Sequence, residues 1–307
     1  MTMTSVTSQA SLLRWQEMRS FDYAAPPTLA EALTLLAANP TARVLAGGTD
    51  LLVQLKSGRR ETPLVVDLKK IPELKAITFD PALGLTIGAT VACFQITTHA
   101  ELRRVYPALA EVAGLIGGTS IQGRASLGGN LCNAAPSADS VPLLIALSAR
   151  ANVAGPGGLR EIAVEDFCVA PGKNILGPGE FLVSLFFPLP APGFHAHYLR
   201  FIPRNEMDIA VVGVGVSTTV QDGKVSAARI ALASVAPTPL FVKEAGDSLI
   251  GHAPTPEAIA TAAGIAQAAA KPISDMRAPA DYRRHLCGVL TRRALNATLA
   301  PGVSRGV

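Results

Sequence analysis

Two glycine-rich segments carry the residue types best suited to holding a phosphate group. The first is Ala46-Gly47-Gly48-Thr49-Asp50 and the second is Ser126-Leu127-Gly128-Gly129-Asn130. Because glycine has no Cβ, backbone N–H groups there can approach an anion closely, and Thr49 and Ser126 add hydroxyl donors. A single Gly-Gly turn is more often only a tight turn. Two matched segments predict that both converge on one diphosphate, and that a branched side chain at Gly48 would occupy phosphate space.

Other signatures of nucleotide and metal sites are absent from the sequence. There is no G-x-x-x-x-G-K-[ST] motif, and Gly213-x-Gly215 lies in a β-rich run without the third glycine of a dinucleotide fingerprint. The four cysteines are far apart and form no C-x-x-C pair, so we expect no iron–sulfur, zinc or other metal site in this chain. His195 and His197 would share one side of a strand, but no further ligand follows at metal-binding spacing.

The region around the first glycine segment alternates helix and strand signals. Thr28 and Glu31 form a capping-box pair, which predicts a helix that ends near Asn39-Pro40. A short apolar strand then leads into the first glycine segment, and another strand is predicted over 64–68. This alternation is typical of a small α/β unit.

The rest of the chain divides at a proline-rich stretch between Pro188 and Gly193. Before it we expect a strand over 83–89, one long helical region to about Leu115, and an apolar strand leading into the second glycine segment. Hairpin turns are predicted at Gly155-Pro156-Gly157-Gly158 and, after the proline-rich stretch, at Asp222-Gly223. The alanine-rich chain from Thr255 is predicted to be helical.

Composition and charge exclude several classes of protein. The 307 residues include 27 Lys and Arg against 23 Asp and Glu, a net charge of +4 without runs of like charge, which argues against a nucleic-acid partner. Hydrophobic residues make up 49% and charged residues 16%, so part of the surface is expected to contact other subunits. No apolar stretch reaches the length of about 18 residues that predicts a transmembrane segment. The N-terminal residues resemble no signal peptide, so we expect a cytoplasmic protein.

In their order and spacing the motifs resemble one family, the FAD-binding medium subunits of the molybdenum hydroxylases, the group of xanthine dehydrogenase and aerobic carbon monoxide dehydrogenase. The resemblance runs from about Phe21 to Ala294. Besides the two glycine segments it is carried by Phe21-Asp22-Tyr23, Ile87-Gly88-Ala89-Thr90, Ala135-Pro136-Ser137-Ala138-Asp139, Glu180-Phe181-Leu182-Val183-Ser184, Arg204 with Asp208-Ile209-Ala210, and Tyr282-Arg283-Arg284.

The resemblance implies an α+β protein with a two-part FAD-binding fold of the vanillyl-alcohol-oxidase (PCMH) type, followed by a C-terminal α+β domain with an antiparallel sheet. The implied FAD-binding domain spans 15–191, with subdomains of about 15–75 and 76–191. The C-terminal domain, similar to that of carbon-monoxide-dehydrogenase flavoproteins, spans 196–305.

The resemblance also implies a set of FAD-binding residues and two departures from the family pattern. The residues are Ala46, Gly47, Gly48, Thr49, Asp50, Leu51, Ile116, Gly117, Ser126, Gly128, Gly129, Asn130, Asp139, Leu182 and Arg200. Arg200 stands where relatives commonly have lysine, and Gln122 stands where the family often has arginine. Asp139 would hydrogen-bond sugar or ribityl hydroxyls, although it could instead cap the following helix. Asp50 could equally hydrogen-bond its own turn.

The implied function is that of the flavoprotein subunit of a molybdenum-dependent dehydrogenase, an oxidoreductase. FAD would be bound by this chain, whereas molybdopterin and [2Fe-2S] clusters would be held by a large and a small partner subunit in a heterotrimer or its dimer. Electrons would pass from those clusters through FAD to an external acceptor, and no side chain of this chain is expected to be catalytic. The alternatives are a free-standing FAD-dependent oxidoreductase of the same fold and a binding-only subunit with a decayed flavin site.

Overall fold

The computed structural model describes residues 19–205 and 207–299, so the outer ends of the expected domains, 15–18 and 300–305, lie outside the described residues. The first part of the chain consists of β1 (Asp22–Ala24), α1 (Leu29–Ala38), β2 (Arg43–Leu45), α2 (Leu51–Lys56) and β3 (Leu64–Asp67). Its three strands form a parallel sheet in the order β1-β3-β2. Two 3₁₀ turns, Leu68–Lys70 and Pro72–Lys75, lead out of this sheet.

Helix α1 begins and ends where the sequence predicts. The Thr28 side-chain oxygen accepts a hydrogen bond from the Glu31 N–H at 3.2 Å, which satisfies one of the free donors of the first turn. Asn39 is the C-cap, directly before Pro40. The helix buries Ala32 and Leu36 in a small core with the apolar residues of β3. The predicted α/β unit is therefore confirmed.

The second part of the chain is built on a five-stranded antiparallel sheet. Its elements are β4 (Ile77–Asp80), β5 (Gly84–Gly88), α3 (Cys93–Thr98), α4 (Ala100–Val105), α5 (Pro107–Ala113), α6 (Thr119–Gln122), α7 (Leu127–Asn133), α8 (Ser140–Ala146), β6 (Arg150–Gly155), β7 (Gly158–Ala163), β8 (Cys168–Ala170), β9 (Lys173–Asn174) and β10 (Phe181–Pro188). A 3₁₀ turn, Val164–Asp166, follows β7. The sheet order is β4-β5-β10-β6-β7, and β8 and β9 form a separate ribbon.

The long helical region expected up to about Leu115 is found, and it is divided into three short helices, α3, α4 and α5. His99 ends α3 and caps α4. Pro107 begins α5, and proline disfavours a helical conformation in the residue before it. Tyr106 accordingly has φ −130° and ψ 59°. The breaks at His99 and Tyr106 therefore divide the helical region.

The C-terminal part is an antiparallel sheet covered by helices. Its elements are β11 (Phe194–Phe201), β12 (Val212–Gln221), β13 (Lys224–Ala233), β14 (Leu240–Phe241), α9 (Lys243–Asp247), α10 (Pro256–Ala269) and α11 (Ala280–Leu299), and the strands lie in that order. Asp222 and Gly223 have φ values of +50° and +73° and connect β12 directly to β13. This confirms the predicted hairpin, because a two-residue turn of this kind needs positive φ at both residues.

Helix α8 joins the C-terminal sheet to the rest of the molecule. All seven of its residues are buried. A Cβ on Gly215 of β12 would lie 2.5 Å from the backbone of Pro142, so the strand and the helix touch at a point where only glycine fits. The Ser217 hydroxyl donates a hydrogen bond to the carbonyl of Ala146 at 2.6 Å. Two ion pairs, Arg200–Asp139 and Arg229–Glu165, each 2.6 Å long, cross the same interface.

Candidate functional site

A cavity of about 610 Å³ lies between the three-stranded sheet and the five-stranded part of the molecule. This volume is within the range of about 300–1,000 Å³ that is typical of small-molecule sites. All the residues expected to bind FAD, except Gly117, Asp139 and Arg200, line this cavity. The structure therefore brings the two glycine segments, Ile116 and Leu182 to one place, although they are far apart in sequence.

Each glycine segment packs closely against the backbone of another part of the chain. A Cβ on Gly47 would lie 1.9 Å from the carbonyl oxygen of Arg124, just before the second segment. Likewise, a Cβ on Gly128 would lie 2.5 Å from the carbonyl oxygen of Ala89. Glycine is therefore required at these two positions by neighbouring protein backbone, independently of any ligand.

The backbone conformation of Gly48 also favours glycine. Gly48 has φ +79°, a conformation that residues with a Cβ rarely adopt, and its Cβ would meet the Leu45 and Leu52 side chains at 3.0–3.1 Å. A branched side chain at Gly48 would therefore strain the loop itself. Its effect on phosphate space stays a prediction.

The second glycine segment is helical, and a helix rather than a strand precedes it. The expectation of an apolar strand leading into this segment is therefore wrong. It is preceded by α6 and forms the first turn of α7. Ser126 is the N-cap, and its side-chain oxygen accepts the Gly129 N–H at 3.0 Å. Helix N-termini and strand-to-helix loops both expose backbone donors, which explains why the two segments look alike in sequence.

Several backbone donors in these two segments have no protein acceptor. Among the described residues, no acceptor takes the N–H groups of Gly47, Gly48, Thr49 and Asp50, nor those of Leu127 and Gly128. Backbone N–H groups are normally paired with protein or water, and successive unpaired ones form concave sites for anions. The donor set at this cavity therefore fits the diphosphate of a dinucleotide.

The cavity has an excess of positive charge, from residues outside the set expected to bind FAD. Arg43, Arg60 and Lys173 line it, against the carboxylates of Asp50 and Glu180. Glu180 is paired with the Arg160 guanidinium at 2.7 and 2.8 Å. Arg43 could have been suspected because it precedes the first glycine segment on β2, but neither Arg60 nor Lys173 stands in a recognisable motif. This balance of charge favours an anionic ligand.

Asp50 is the acidic residue of the first segment. Its side chain makes no capping hydrogen bond to α2, so the alternative that it serves its own turn is not observed. Burial raises the pKa of Asp50, and the charge of Arg59 partly opposes this shift. A carboxyl group in this state is available to hydrogen-bond a ligand.

Asp139 and Arg200 lie outside the cavity wall and pair with each other. The Arg200 guanidinium donates to Asp139 Oδ2 at 2.6 Å and to the carbonyl of Leu115 at 3.4 Å. Tyr198 donates its hydroxyl to Asp139 Oδ1 at 2.8 Å. Burial raises the pKa of Asp139, while Arg200 and Tyr198 act in the opposite direction. Asp139 makes no side-chain cap for α8.

Gln122, which stands where the family often has arginine, hydrogen-bonds the backbone on both sides of Ile116. The Gln122 amide donates to the carbonyls of Gly114 at 2.7 Å and Gly117 at 3.4 Å. Gly117 has φ +62°, and its Cβ would lie 2.7 Å from Ile121. Gln122 therefore holds the turn that presents Ile116 to the cavity.

No helix in residues 19–205 or 207–299 is long and apolar enough to cross a membrane. In the same residues there is no group of three or more His, Cys, Asp or Glu side chains that could hold a metal ion.

Comparison with known proteins identifies the family. Residues 19–190 match the family described as the FAD binding domain in molybdopterin dehydrogenase, and residues 197–298 match the CO dehydrogenase flavoprotein C-terminal domain. The chain is 35% identical to the xanthine dehydrogenase FAD-binding subunit of Escherichia coli O157:H7, over 91% of this chain and 97% of the relative. It is 33% identical to the carbon monoxide dehydrogenase medium chain of Afipia carboxidovorans, over 92% and 97%.

A solved structure has the same fold. Carbon monoxide dehydrogenase from Hydrogenophaga pseudoflava, in a form that lacks the Mo-pyranopterin moiety of the molybdenum cofactor, matches with a TM-score of 0.88 and 33% identity, over 92% of this chain and 98% of that chain. The expected α+β fold, with an FAD-binding domain and a C-terminal domain, is confirmed. The chain belongs to the FAD-binding subunits of the molybdenum hydroxylase family, oxidoreductases of the xanthine dehydrogenase and carbon monoxide dehydrogenase type.

Proposed function

We propose that this chain holds FAD with its diphosphate between the two glycine segments and passes electrons from a small iron–sulfur subunit to an external acceptor. The observation that carries the proposal is the convergence of unpaired backbone N–H groups from both segments on one cavity. FAD, when bound, supplies the redox chemistry, since it can both accept and release electrons.

The chain's own residues would bind and orient the cofactor. Within the predicted segments Ala46–Leu51 and Ser126–Asn130, the unpaired N–H groups of Gly47–Asp50 and of Leu127 and Gly128 would donate to the diphosphate. Arg43, Arg60 and Lys173 would balance its charge. Ile116, Gly117 and Leu182 would provide the wall beside the isoalloxazine. Asp139 and Arg200 stay predicted FAD-binding residues, supported by the contact of Arg200 with Leu115, next to Ile116.

The proposed partners are a large molybdopterin subunit and a small [2Fe-2S] subunit in a heterotrimer or its dimer. Relatives named as a medium chain and as an FAD-binding subunit support an assembly of several chains. The alternative, a free-standing FAD-dependent oxidoreductase, would need no such partners. Co-expression with the two partner subunits and purification through a tag on this chain separates the two functions. The proposal expects all three chains in one complex, whereas an active isolated chain would overturn it.

Cofactor binding can be tested by adding a negative charge at the first glycine segment. Thr49→Glu should weaken FAD binding strongly, because its carboxylate would repel the diphosphate at close range. Thr261→Glu, on the exposed surface of α10, is the matched control and should bind FAD as the parent does. Both are measured by the absorption spectrum and by titration of the apoprotein. Equal FAD affinity in the two variants would contradict the proposed site.

A further inference from the structure

Lys69 connects the end of β3 to the first glycine segment. Its ammonium group donates hydrogen bonds to the carbonyl of Ala46 and to both carboxylate oxygens of Asp67, all at 2.8 Å. The hydroxyl of Tyr23 donates to Asp67 Oδ2 at 2.7 Å. Tyr23 belongs to β1, Asp67 is the last residue of β3, and Ala46 follows β2 directly. One network therefore joins all three parallel strands.

The network holds the Lys69 ammonium in a fixed place. A lysine ammonium has three donors, and Ala46 and the two oxygens of Asp67 provide three acceptors. Burial alone would raise the pKa of Asp67, but its hydrogen bonds with Lys69 and Tyr23 outweigh burial and lower it. Asp67 is thus a carboxylate at neutral pH, and it is only 6% exposed.

Sheet pairing does not by itself orient the glycine segment. The last paired residues of β2 and β3 are Leu45 and Asp67. Ala46 is the first residue beyond that pair, and the Lys69 ammonium is bonded to its carbonyl. Because a trans peptide is planar, fixing this carbonyl also fixes the next N–H, that of Gly47, on the opposite side of the peptide. That N–H is one of the donors without a protein acceptor.

We propose that Lys69 is a positioning residue, which turns the Ala46–Gly47 peptide so that the Gly47 N–H is presented to the anionic group of the ligand. The inference rests on the proposed binding of a diphosphate at this cavity. Lys69 acts through the peptide, with Asp67 and Tyr23 holding its ammonium. Its own charge contributes little direct attraction, because the two oxygens of Asp67 already contact it.

The experiment compares FAD dissociation constants of Lys69→Met, Lys69→Arg and Lys70→Met. Lys70 is the matched control, since it is the adjacent lysine and is exposed. Loss of a hydrogen bond to a charged group corresponds to roughly a 10- to 100-fold weaker affinity, and we expect this for Lys69→Met. Arginine keeps the donors and should restore most of the affinity, and Lys70→Met should bind as the parent does.

Salt separates positioning from simple attraction. At about 1 M NaCl the screening length is about 3 Å, so the contribution of an unpaired charge would largely disappear. We expect the ratio of the Lys69→Met and parent dissociation constants to persist in high salt. A ratio that falls to one in high salt, or equal affinities in low salt, would overturn the inference. Failure of the parent protein itself to bind FAD would instead overturn the proposed function.

A second variant covers the case in which Lys69→Met does not fold. Asp67→Asn keeps the ammonium but removes the carboxylate that fixes it. We expect weaker FAD binding here too, with the far-ultraviolet circular dichroism of the apoprotein unchanged. Parent-like affinity in Asp67→Asn would show that the ammonium needs no anchor, and would equally overturn the inference.

Discussion

Replacing Asp139 with alanine tests the interface between the C-terminal sheet and the FAD-binding part of the molecule. The change would leave the Arg200 guanidinium without its carboxylate, in a place where the two side chains are only 10% and 12% exposed. Removing one partner of a buried ion pair costs about 3–5 kcal/mol. The carbonyl of Leu115 remains as an acceptor, which reduces the cost, whereas Tyr198 also loses an acceptor, which adds about 1 kcal/mol.

We therefore expect Asp139→Ala to lower the free energy of unfolding by about 4 kcal/mol. The assay is urea unfolding of the apoprotein, followed by far-ultraviolet circular dichroism. The double variant Asp139→Ala/Arg200→Met should recover most of this loss, since it leaves no uncompensated charge. Glu101→Ala, which breaks the exposed pair with Arg104, is the control and should cost less than about 1 kcal/mol. A loss below about 1 kcal/mol for Asp139→Ala, or a double variant no more stable than the single one, would refute this reasoning.

Three further predictions concern the cavity. Gly47→Ala should destabilise even the apoprotein by about 1–3 kcal/mol in urea unfolding, because its Cβ would meet the Arg124 carbonyl; parent-like stability would contradict this. The pKa of Asp67 is lowered in the folded protein, so its charge stabilises the fold above the ordinary carboxyl pKa, and this contribution is lost as the pH falls below about 4. The difference in free energy of unfolding between the parent and Asp67→Asn should therefore shrink in acid. A difference that stays constant with pH would contradict the lowered pKa of Asp67. Gln122→Ala should cost about 1 kcal/mol by freeing the Gly114 carbonyl and should shift the bound flavin's absorption bands; an unchanged spectrum would separate Gln122 from the flavin environment.

The sequence was most informative where local chemistry decides the structure. The Thr28–Glu31 cap, the strand over 83–89 and the hairpin turns at 155–158 and 222–223 depend on neighbouring residues, and all are found. The composition of the two glycine segments, together with the family resemblance, also located the cavity. These signals lie within a few residues of the features that they predict.

What the sequence could not provide depends on contacts between distant residues. Gly47 must be glycine because the carbonyl of Arg124 lies against it. Arg60, which lines the cavity, donates a hydrogen bond to the carbonyl of Gly172 at 3.3 Å. The pairing of Asp139 with Arg200 joins residues on opposite sides of the proline-rich stretch. No local pattern encodes such contacts, because each depends on where the fold places the second residue.

The close approach of β12 to α8 has a consequence for dividing the chain. The proline-rich stretch near residue 190 is the natural place to cut the sequence, but α8 contributes to hydrophobic packing on both sides of that cut. A fragment that ended there would expose an apolar helix to water, and a fragment that began there would lose the partner for which Gly215 leaves room. We therefore expect either half, produced alone, to aggregate, and we expect the two parts to fold together.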